Sequence, residues 1–189
     1  MVPVIYGSVR PERQGIRAAR YIVAQLQKRG INAILVDPLE HQLPLLDVMY
    51  KEYEKGTAPV VLERLAEMFR KADGFAVVSG EYNHGVPPAL ANLMDFFLEE
   101  YFWRPAAIVT YSGGRFGGVR AGYVLRNMLG EMGMPTIPSM LPIAQVQNAF
   151  DENGVPHDPK TDEFSAQFFD EFIWYMNALK AARVSGVPY

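Results

Sequence analysis

Short apolar stretches alternate with amphipathic stretches along the whole chain, and this alternation constrains the fold more than any other feature. The apolar stretches that are typical of buried strands are Val2–Tyr6, Ile31–Val36, Phe75–Val78, Ala106–Thr110 and Pro135–Leu141. Such alternation predicts a parallel sheet with right-handed crossovers and with helices on both faces. We therefore expect an α/β protein with a doubly wound, five-stranded parallel sheet.

The predicted helices carry apolar residues three and four positions apart, which places these residues on one face. The first helix follows the loop Gly7–Gly15 and ends near Gly30, because glycine commonly follows the last turn of a helix. The third helix extends from Pro87 to about Tyr101. The other three carry apolar stripes within 61–72, 121–132 and 164–179.

Length and composition limit the classes of protein that this chain can represent. A chain of 189 residues suits one domain, and we predict a single domain over 1–189. The absence of cysteine excludes disulfides and thiolate metal sites, and the separation of His41, His84 and His157 predicts no metal site. The net charge of -3 weighs against a nucleic-acid partner. Because no signal peptide or membrane span is evident, we expect the cytoplasm.

Three polar, glycine-containing loops follow the first, third and fourth predicted strands. Their sequences are GSVRPERQG, SGEYNHGVPP and YSGGRFGG. The carboxyl ends of parallel strands meet at one edge of the sheet, where ligands bind in folds of this class. We therefore expect the three loops to lie together and to form a ligand site.

The first loop has the residue types of a phosphate site. It carries Ser8, Arg10, Arg13 and Gln14, and it enters a helix at Gly15. Backbone N–H groups at a helix N-terminus attract anions, and arginine can bind phosphate in a bidentate manner. A polar surface turn with solvated arginines is the alternative. The loop contains neither GxxxxGK[ST] nor GxGxxG, so a triphosphate enzyme or a Rossmann dinucleotide site is disfavoured.

The second and third loops have groups that can hold a flat, polar-edged ring. Tyr82 can lie against such a ring, and the Asn83 amide can bond to its edge. Alternatively, Asn83 only forms a turn, Glu81 is a solvated charge and His84 is a surface histidine. In the third loop, the glycines after Ser112 allow the backbone to approach a ligand closely, although they also suit an ordinary tight turn.

Taken together, the three loops resemble those of the NADPH-dependent FMN reductase family, which includes quinone, azo-dye and chromate reductases. The resemblance covers 2–141 and rests on GSVRPERQG, EYNHGVPPALANLMDF and YSGGRFGGVRAGYVLRNMLGEMGM. It implies a flavodoxin-like sheet of strand order 2-1-3-4-5, non-covalent FMN and a homodimer or homotetramer. One departure is Gly80, where the family commonly has proline.

The resemblance also implies which residues bind FMN. It places the phosphate on Ser8, Arg10, Gln14 and Gly15, with Arg13 near it. The isoalloxazine ring would meet the second loop on one side and the third loop at its edge. The residues implied there are Glu81, Tyr82, Asn83, Gly85, Ser112, Gly113 and Gly114.

The function implied is a ping-pong reductase that passes hydride from NADPH, through FMN, to a quinone, a similar small oxidant or free flavin. No catalytic side chain is required, because the flavin carries the chemistry. Arg13, Arg17 or Arg115 would meet the NADPH 2′-phosphate. The alternatives are a flavodoxin-type electron carrier, a non-catalytic FMN-binding module, and a nucleoside-processing enzyme with Glu81 as nucleophile.

Helix three bears on the state of assembly. Its apolar residues between Leu90 and Phe97 surround more of the helix than one sheet face can cover. Extended apolar surface usually marks a partner, so we expect a dimer or tetramer interface through this helix. The alternative is a helix that is buried deeply within a monomer.

Overall fold

A computed structural model describes residues 1–189 and contains a single five-stranded sheet in which every neighbouring pair is parallel. The strand order is β2-β1-β3-β4-β5. This order confirms the predicted doubly wound α/β architecture. The strands are β1 Val2–Tyr6, β2 Ala33–Val36, β3 Phe75–Gly80, β4 Ala106–Tyr111 and β5 Thr136–Ile143.

Six α-helices and two short 3-10 turns connect or follow the strands. The 3-10 turns cover Tyr50–Glu52 and Glu99–Tyr101. No helix is both long enough and apolar enough to cross a lipid bilayer. The α-helices are α1 Gly15–Lys28, α2 Val60–Arg70, α3 Pro88–Asp95, α4 Val119–Glu131, α5 Val146–Ala149 and α6 Lys160–Val184.

Two separate apolar cores cover the two faces of the sheet. One contains side chains of α1 and α6, and the other contains side chains of α2, α3 and α4. Successive side chains of a strand point to opposite faces, so Val4 and Tyr6 enter the first core while Ile5 enters the second. This two-sided burial explains why the central strands are continuously apolar.

Strand register places the carboxyl ends of β1, β3 and β4 side by side. Tyr6 lies opposite Val78, and Gly80 lies opposite Tyr111. The N–H of Gly7 then donates to the carbonyl of Val78 at 3.2 Å, which holds the start of the first loop against β3. The three loops named in the sequence therefore leave the sheet at one edge.

Several predicted element boundaries differ from the structure, and two of these differences have a visible cause. Helix α3 ends at Asp95 rather than near Tyr101, because the Phe96 carbonyl accepts the N–H of Tyr50 at 2.8 Å and Leu98 leaves the helical conformation. Strand β2 begins at Ala33 rather than at Ile31. The N–H of Ile31 donates instead to the Leu26 carbonyl at 3.0 Å and closes the end of α1.

The apolar side chains of α3 lie inside the chain. Leu90, Leu93, Met94, Phe96 and Phe97 are all buried in the second core. This is the alternative of a deeply buried helix that the sequence left open. The side chains from which an interface was predicted are therefore already covered within one chain.

Candidate functional site

A cavity of ≈ 260 Å³ lies at the carboxyl edge of the sheet. The loops after β1, β3 and β4 all contribute to its wall, as expected, and α5 contributes from beyond β5. A larger cavity of ≈ 600 Å³ lies elsewhere, and none of the predicted site residues lines it. The residues around the smaller cavity are Ser8, Arg10, Glu12, Arg13, Gln14, Gly15, Gly80, Glu81, Tyr82, Tyr111, Ser112, Gly113, Val146 and Gln147.

Arg13 is held in place by an ion pair with Asp37. The two guanidinium nitrogens Nη1 and Nη2 each lie 2.5 Å from one carboxylate oxygen, and Nη1 also donates to the Ser8 carbonyl at 3.0 Å. The hydrogen bonds with Asp37 raise the pKa of Arg13. Arg13 therefore joins the first loop to the end of β2, and its bidentate fork is already occupied.

The rest of the first loop leaves several hydrogen-bond donors available. Gln14 precedes α1 without a side-chain cap, and the first turn of α1 contains no acidic residue. The first N–H groups of a helix have no intrahelical partner and carry partial positive charge. The buried Ser8 hydroxyl and the exposed Arg10 lie beside this helix start. An anion placed here would find backbone, hydroxyl and guanidinium donors together.

Tyr111 forms the floor of the cavity beneath Gly15. A Cβ on Gly15 would lie 2.0 Å from Cζ of the Tyr111 ring, so only glycine permits this approach. The ring also stacks on Tyr6 at a centroid distance of 6.1 Å, and its hydroxyl donates to the Tyr6 hydroxyl at 3.3 Å. Burial raises the pKa of Tyr111, so its phenol stays protonated.

The second loop closes in a tight turn at Tyr82–Gly85. The backbone N–H groups of Tyr82 and Gly85 donate to each other's carbonyls at 3.1 and 2.9 Å. The two residues between them, Asn83 and His84, have φ values of 51° and 64°. Asparagine and histidine tolerate this left-handed conformation better than most residues. Both are exposed and lie outside the wall of the cavity, whereas Tyr82 contributes to that wall.

Glu81 caps the N-terminus of α4. Its Oε2 atom accepts the backbone N–H groups of Arg120 and Ala121 at 3.1 and 3.2 Å. Its Oε1 atom lies 3.6 Å from the Arg120 guanidinium. A carboxylate at a helix N-terminus is stabilised by the unpaired N–H groups there. Glu81 is therefore neither a solvated charge nor a free nucleophile.

The third loop is fastened to the residues that follow β5. The Gly113 carbonyl accepts the Gln147 side-chain N–H at 3.2 Å, and the Gly114 carbonyl accepts the Gln145 backbone N–H at 3.0 Å. The Ser112 hydroxyl also donates to the Gly114 carbonyl at 3.0 Å. These bonds fix the backbone of the loop beside the cavity.

Comparison with known proteins gives a consistent result. The profile of the NADPH-dependent FMN reductase family matches residues 1–148. This chain belongs to that family. An NAD(P)H-dependent FMN reductase of Pseudomonas aeruginosa is 34% identical over 163 residues, which are 80% of this chain and 85% of the relative. A quinone reductase of Pseudomonas putida is 29% identical over 188 residues, 95% of this chain and 96% of the relative.

Solved structures place this member of the FMN reductase family among flavodoxin-like folds. The flavoenzyme NAD(P)H:(acceptor) oxidoreductase FerB of Paracoccus denitrificans superposes with a TM-score of 0.75 at 23% identity, covering 94% of this chain and 97% of that one. A flavodoxin of Pseudomonas aeruginosa gives a TM-score of 0.56 at 17% identity, covering 93% and 98%. The predicted family, the flavodoxin-like fold and the class of oxidoreductase are therefore confirmed.

Most of the residues implied by the family resemblance lie around the cavity. Nine of the twelve line it, and the exceptions are Asn83, Gly85 and Gly114. Sequence reasoning missed Glu12, Gly80, Tyr111, Val146 and Gln147. Tyr111 directly precedes Ser112, and α5 follows the carboxyl end of β5, so the rule that ligands bind at this edge could have identified both.

The residues present fit a phosphorylated flavin. The uncapped start of α1, the Ser8 hydroxyl and Arg10 provide donors for a phosphate. Gly15 admits no side chain over the Tyr111 ring, Gly80 lies against the same ring, and the exposed backbone of Gly113 adds to the wall of the cavity. Membership of the NADPH-dependent FMN reductase family supports FMN as the cofactor of this chain.

Proposed function

We propose that this chain is an FMN-dependent NAD(P)H oxidoreductase that reduces a quinone or a similar small oxidant by a ping-pong scheme. The observation that carries the proposal is the convergence of three loops on one cavity at the carboxyl edge of a flavodoxin-like sheet. Relatives named FMN reductase and quinone reductase support the reaction class. We take residues 1–189 as one FMN-binding domain.

At the phosphate end, we assign direct contact to Ser8, Arg10, Gln14 and Gly15. Their donors converge where α1 begins. Arg13 has a different role from its neighbours, because the ion pair with Asp37 occupies its fork. Asp37 also neutralises the Arg13 guanidinium, so Arg13 would hold the loop in shape rather than clamp the ligand.

At the ring end, we assign one wall to the second loop and the other to the third loop. Tyr82 is partly exposed and lines the cavity, so its ring is available for contact with a flavin. Asn83 and Gly85 would act by forming the turn that positions Tyr82. The backbone of Ser112, Gly113 and Gly114 would approach the ring edge, held by the bonds from α5 and its flank.

FMN, when bound, would supply the redox chemistry. The chain itself then needs to bind the flavin, to orient the substrates against it and to exclude water, rather than to transfer protons. No histidine lines the cavity, and its two carboxylates are Glu12 and the helix-capping Glu81. A single open cavity suits two substrates that visit in turn. We propose NADPH as the first substrate and a quinone, a similar small oxidant or free flavin as the second.

The competing functions have weaker support. A nucleoside-processing enzyme needs a free carboxylate nucleophile, whereas Glu81 is engaged by the first turn of α4. A flavodoxin-type carrier relies on strong negative charge to meet its partners, whereas the net charge of this chain is only -3. A non-catalytic FMN module has no observation that favours it.

A homodimer or homotetramer stays our prediction, but a different surface of the chain now supports it. The buried side chains of α3 are not available, whereas Val9 and Leu39 are exposed beside Ala89 and Leu93 along a groove of ≈ 280 Å³. This groove follows the outer side of α3, where the interface was expected. Light scattering of the purified protein tests the predicted assembly, because it measures the mass of the particle in solution. Location in the cytoplasm is a separate prediction.

Initial-rate kinetics test the proposed reaction. We expect NADPH oxidation in the presence of a soluble benzoquinone, with double-reciprocal plots at several quinone concentrations that are parallel. Intersecting lines would contradict the ping-pong order while keeping the reductase. NADPH oxidation that requires an added redox protein would identify a carrier instead.

A further inference from the structure

Phe116 is an exposed aromatic residue with two arginines beside it. The guanidinium carbons of Arg115 and Arg120 lie 5.0 and 4.8 Å from the centroid of its ring. The side chain is 52% exposed and belongs to neither apolar core. We call these three residues the Phe116 cluster. An exposed aromatic ring flanked by cations suits a ligand that is both aromatic and anionic.

The other arginines proposed for the NADPH 2′-phosphate have partners within the chain. Arg13 is paired with Asp37, and Arg17 donates to the carbonyls of Gln147 and Phe150 at 3.3 and 3.2 Å. The Arg115 guanidinium makes no ion pair and no hydrogen bond with the rest of the chain, so its full set of five donors is available. Of the three candidates, Arg115 alone is free to bind a phosphate.

The cluster is carried by a backbone that is fixed to the sheet. Gly117 and Gly118 adopt φ values of 61° and 76°, and a Cβ on Gly118 would lie 2.7 Å from the Tyr111 carbonyl oxygen. The Phe116 carbonyl accepts the N–H of Val119 at 3.3 Å at the start of α4. A side-chain cluster on such a backbone loses less freedom when it binds a ligand.

The cluster borders the candidate flavin cavity. Arg120 contacts both Phe116 and Glu81, and Glu81 lines the cavity next to Tyr82. The Arg120 guanidinium lies 3.6 Å from Oε1 of Glu81 and makes no hydrogen bond with it, so the donors of Arg120 stay available to a ligand. A dinucleotide whose nicotinamide end enters the cavity can therefore extend its adenosine end over the cluster.

We propose that the Phe116 cluster binds the adenosine 2′-phosphate portion of NADPH. The adenine packs against the Phe116 cluster, in which the guanidiniums of Arg115 and Arg120 lie over the aromatic ring. The 2′-phosphate takes its main hydrogen bonds from Arg115, with added charge from Arg120. NADH keeps the adenine but lacks the phosphate, so Arg115 determines the preference between the two nucleotides. This assignment rests on the proposed function, since it concerns the hydride donor of the same site.

The test compares Arg115→Gln, Phe116→Leu and the wild-type chain, each loaded with FMN. We expect Arg115→Gln to lower the ratio of kcat/KM for NADPH to that for NADH about tenfold, the effect of one lost charged hydrogen bond. Phe116→Leu should lower kcat/KM for both nucleotides and change the ratio little. Arg64→Gln is the matched control, because Arg64 is an exposed arginine on α2 and removes the same charge.

A second readout needs no turnover. Calorimetry should detect tighter binding of adenosine 2′,5′-bisphosphate than of 5′-AMP by the wild-type chain, and Arg115→Gln should abolish the difference. An unchanged nucleotide ratio in Arg115→Gln, or equal affinity of the wild type for both probes, would overturn the assignment. If neither nucleotide reduces the flavin, the proposed function fails, and the calorimetric comparison alone decides the role of the cluster.

Discussion

Gly15 is the residue at which the first loop enters α1, and the Tyr111 ring occupies the space where its side chain would begin. The absence of a Cβ brings the helix start directly over this ring. The same ring forms the floor of the candidate flavin cavity. One glycine thus joins the packing of α1 to the shape of the site.

We therefore expect Gly15→Ala to damage both stability and binding. The new Cβ must displace the Tyr111 ring, and overpacking of this kind costs about 1–3 kcal/mol. Urea unfolding should report that loss, and FMN affinity should fall by about tenfold or more. Gly130→Ala is the control, because Gly130 lies within α4 with nothing near its Cβ position. That change should stabilise by about 0.5–1 kcal/mol. Equal stability of Gly15→Ala and wild type would refute the packing account.

Tyr21 gives a prediction for alkaline pH. Its buried hydroxyl lies 2.6 Å from the Ser165 hydroxyl, and burial raises its pKa to about 12 from the ordinary value of 10.0. The pKa of Tyr21 is therefore higher in the folded chain than in the unfolded chain. The protonated Tyr21 phenol contributes its full share to the free energy of unfolding below pH 10, and this contribution is lost as pH rises towards 12. Tyr21→Phe should cost about 1 kcal/mol at pH 8, where it loses the hydrogen bond.

That deficit should shrink by about 1 kcal/mol at pH 11, since only the wild type has to ionise this phenol on unfolding. Urea unfolding at the two pH values measures the change. A deficit that stays constant or grows with pH would mean that the hydroxyl of Tyr21 is not held protonated by the fold.

At the scale of elements, the Arg13–Asp37 pair joins the loop before α1 to the end of β2. Asp37 also accepts the N–H of Leu39 at 2.9 Å, so its carboxylate organises both chain segments. A double-mutant cycle with Arg13→Gln and Asp37→Asn should give a coupling energy of about 1–3 kcal/mol. Arg17→Gln paired with Asp37→Asn should give none, because Arg17 bonds to carbonyls elsewhere. A negligible coupling energy in the first cycle would mean that Asp37 does not hold Arg13 in solution, and that Arg13 is available for direct contact with the phosphate.

Glu81 makes a second link between elements, from the end of β3 to the start of α4. Glu81→Ala removes the cap and should cost about 1 kcal/mol in urea unfolding. Glu81→Gln keeps an acceptor oxygen and should cost less. If the two variants are equally destabilised, the negative charge of Glu81 rather than its hydrogen bonds stabilises α4.

The sequence predicted the type and order of the main elements because their apolar periodicities are strong. It failed where a long-range contact competes with local preference. The sequence after Asp95 continues to favour a helix. The N–H of Tyr50, which is distant in sequence, instead donates to the Phe96 carbonyl. Likewise, α5 is only four residues long and carries no periodic signal, so its contribution of Gln147 to the site was missed.

At the scale of the whole molecule, two cores on opposite faces of one sheet leave its carboxyl edge free for ligand binding. The place of the candidate site followed from the strand order, and the family resemblance suggested residues for it, nine of which line the cavity. The sequence could not show which polar side chains already have hydrogen-bond or ion-pair partners within the chain. Arg13, Arg17 and Glu81 all read as available groups, yet each bonds to another part of the chain.

The most direct test of the central claim is an anaerobic absorption spectrum. The protein is supplemented with FMN, desalted, and recorded before and after NADPH and then a quinone are added. We predict that flavin is retained, that its visible bands bleach with NADPH and that they return with the quinone. Retained flavin that stays oxidised would contradict the reductase, and protein that emerges from desalting without flavin would contradict the FMN site itself.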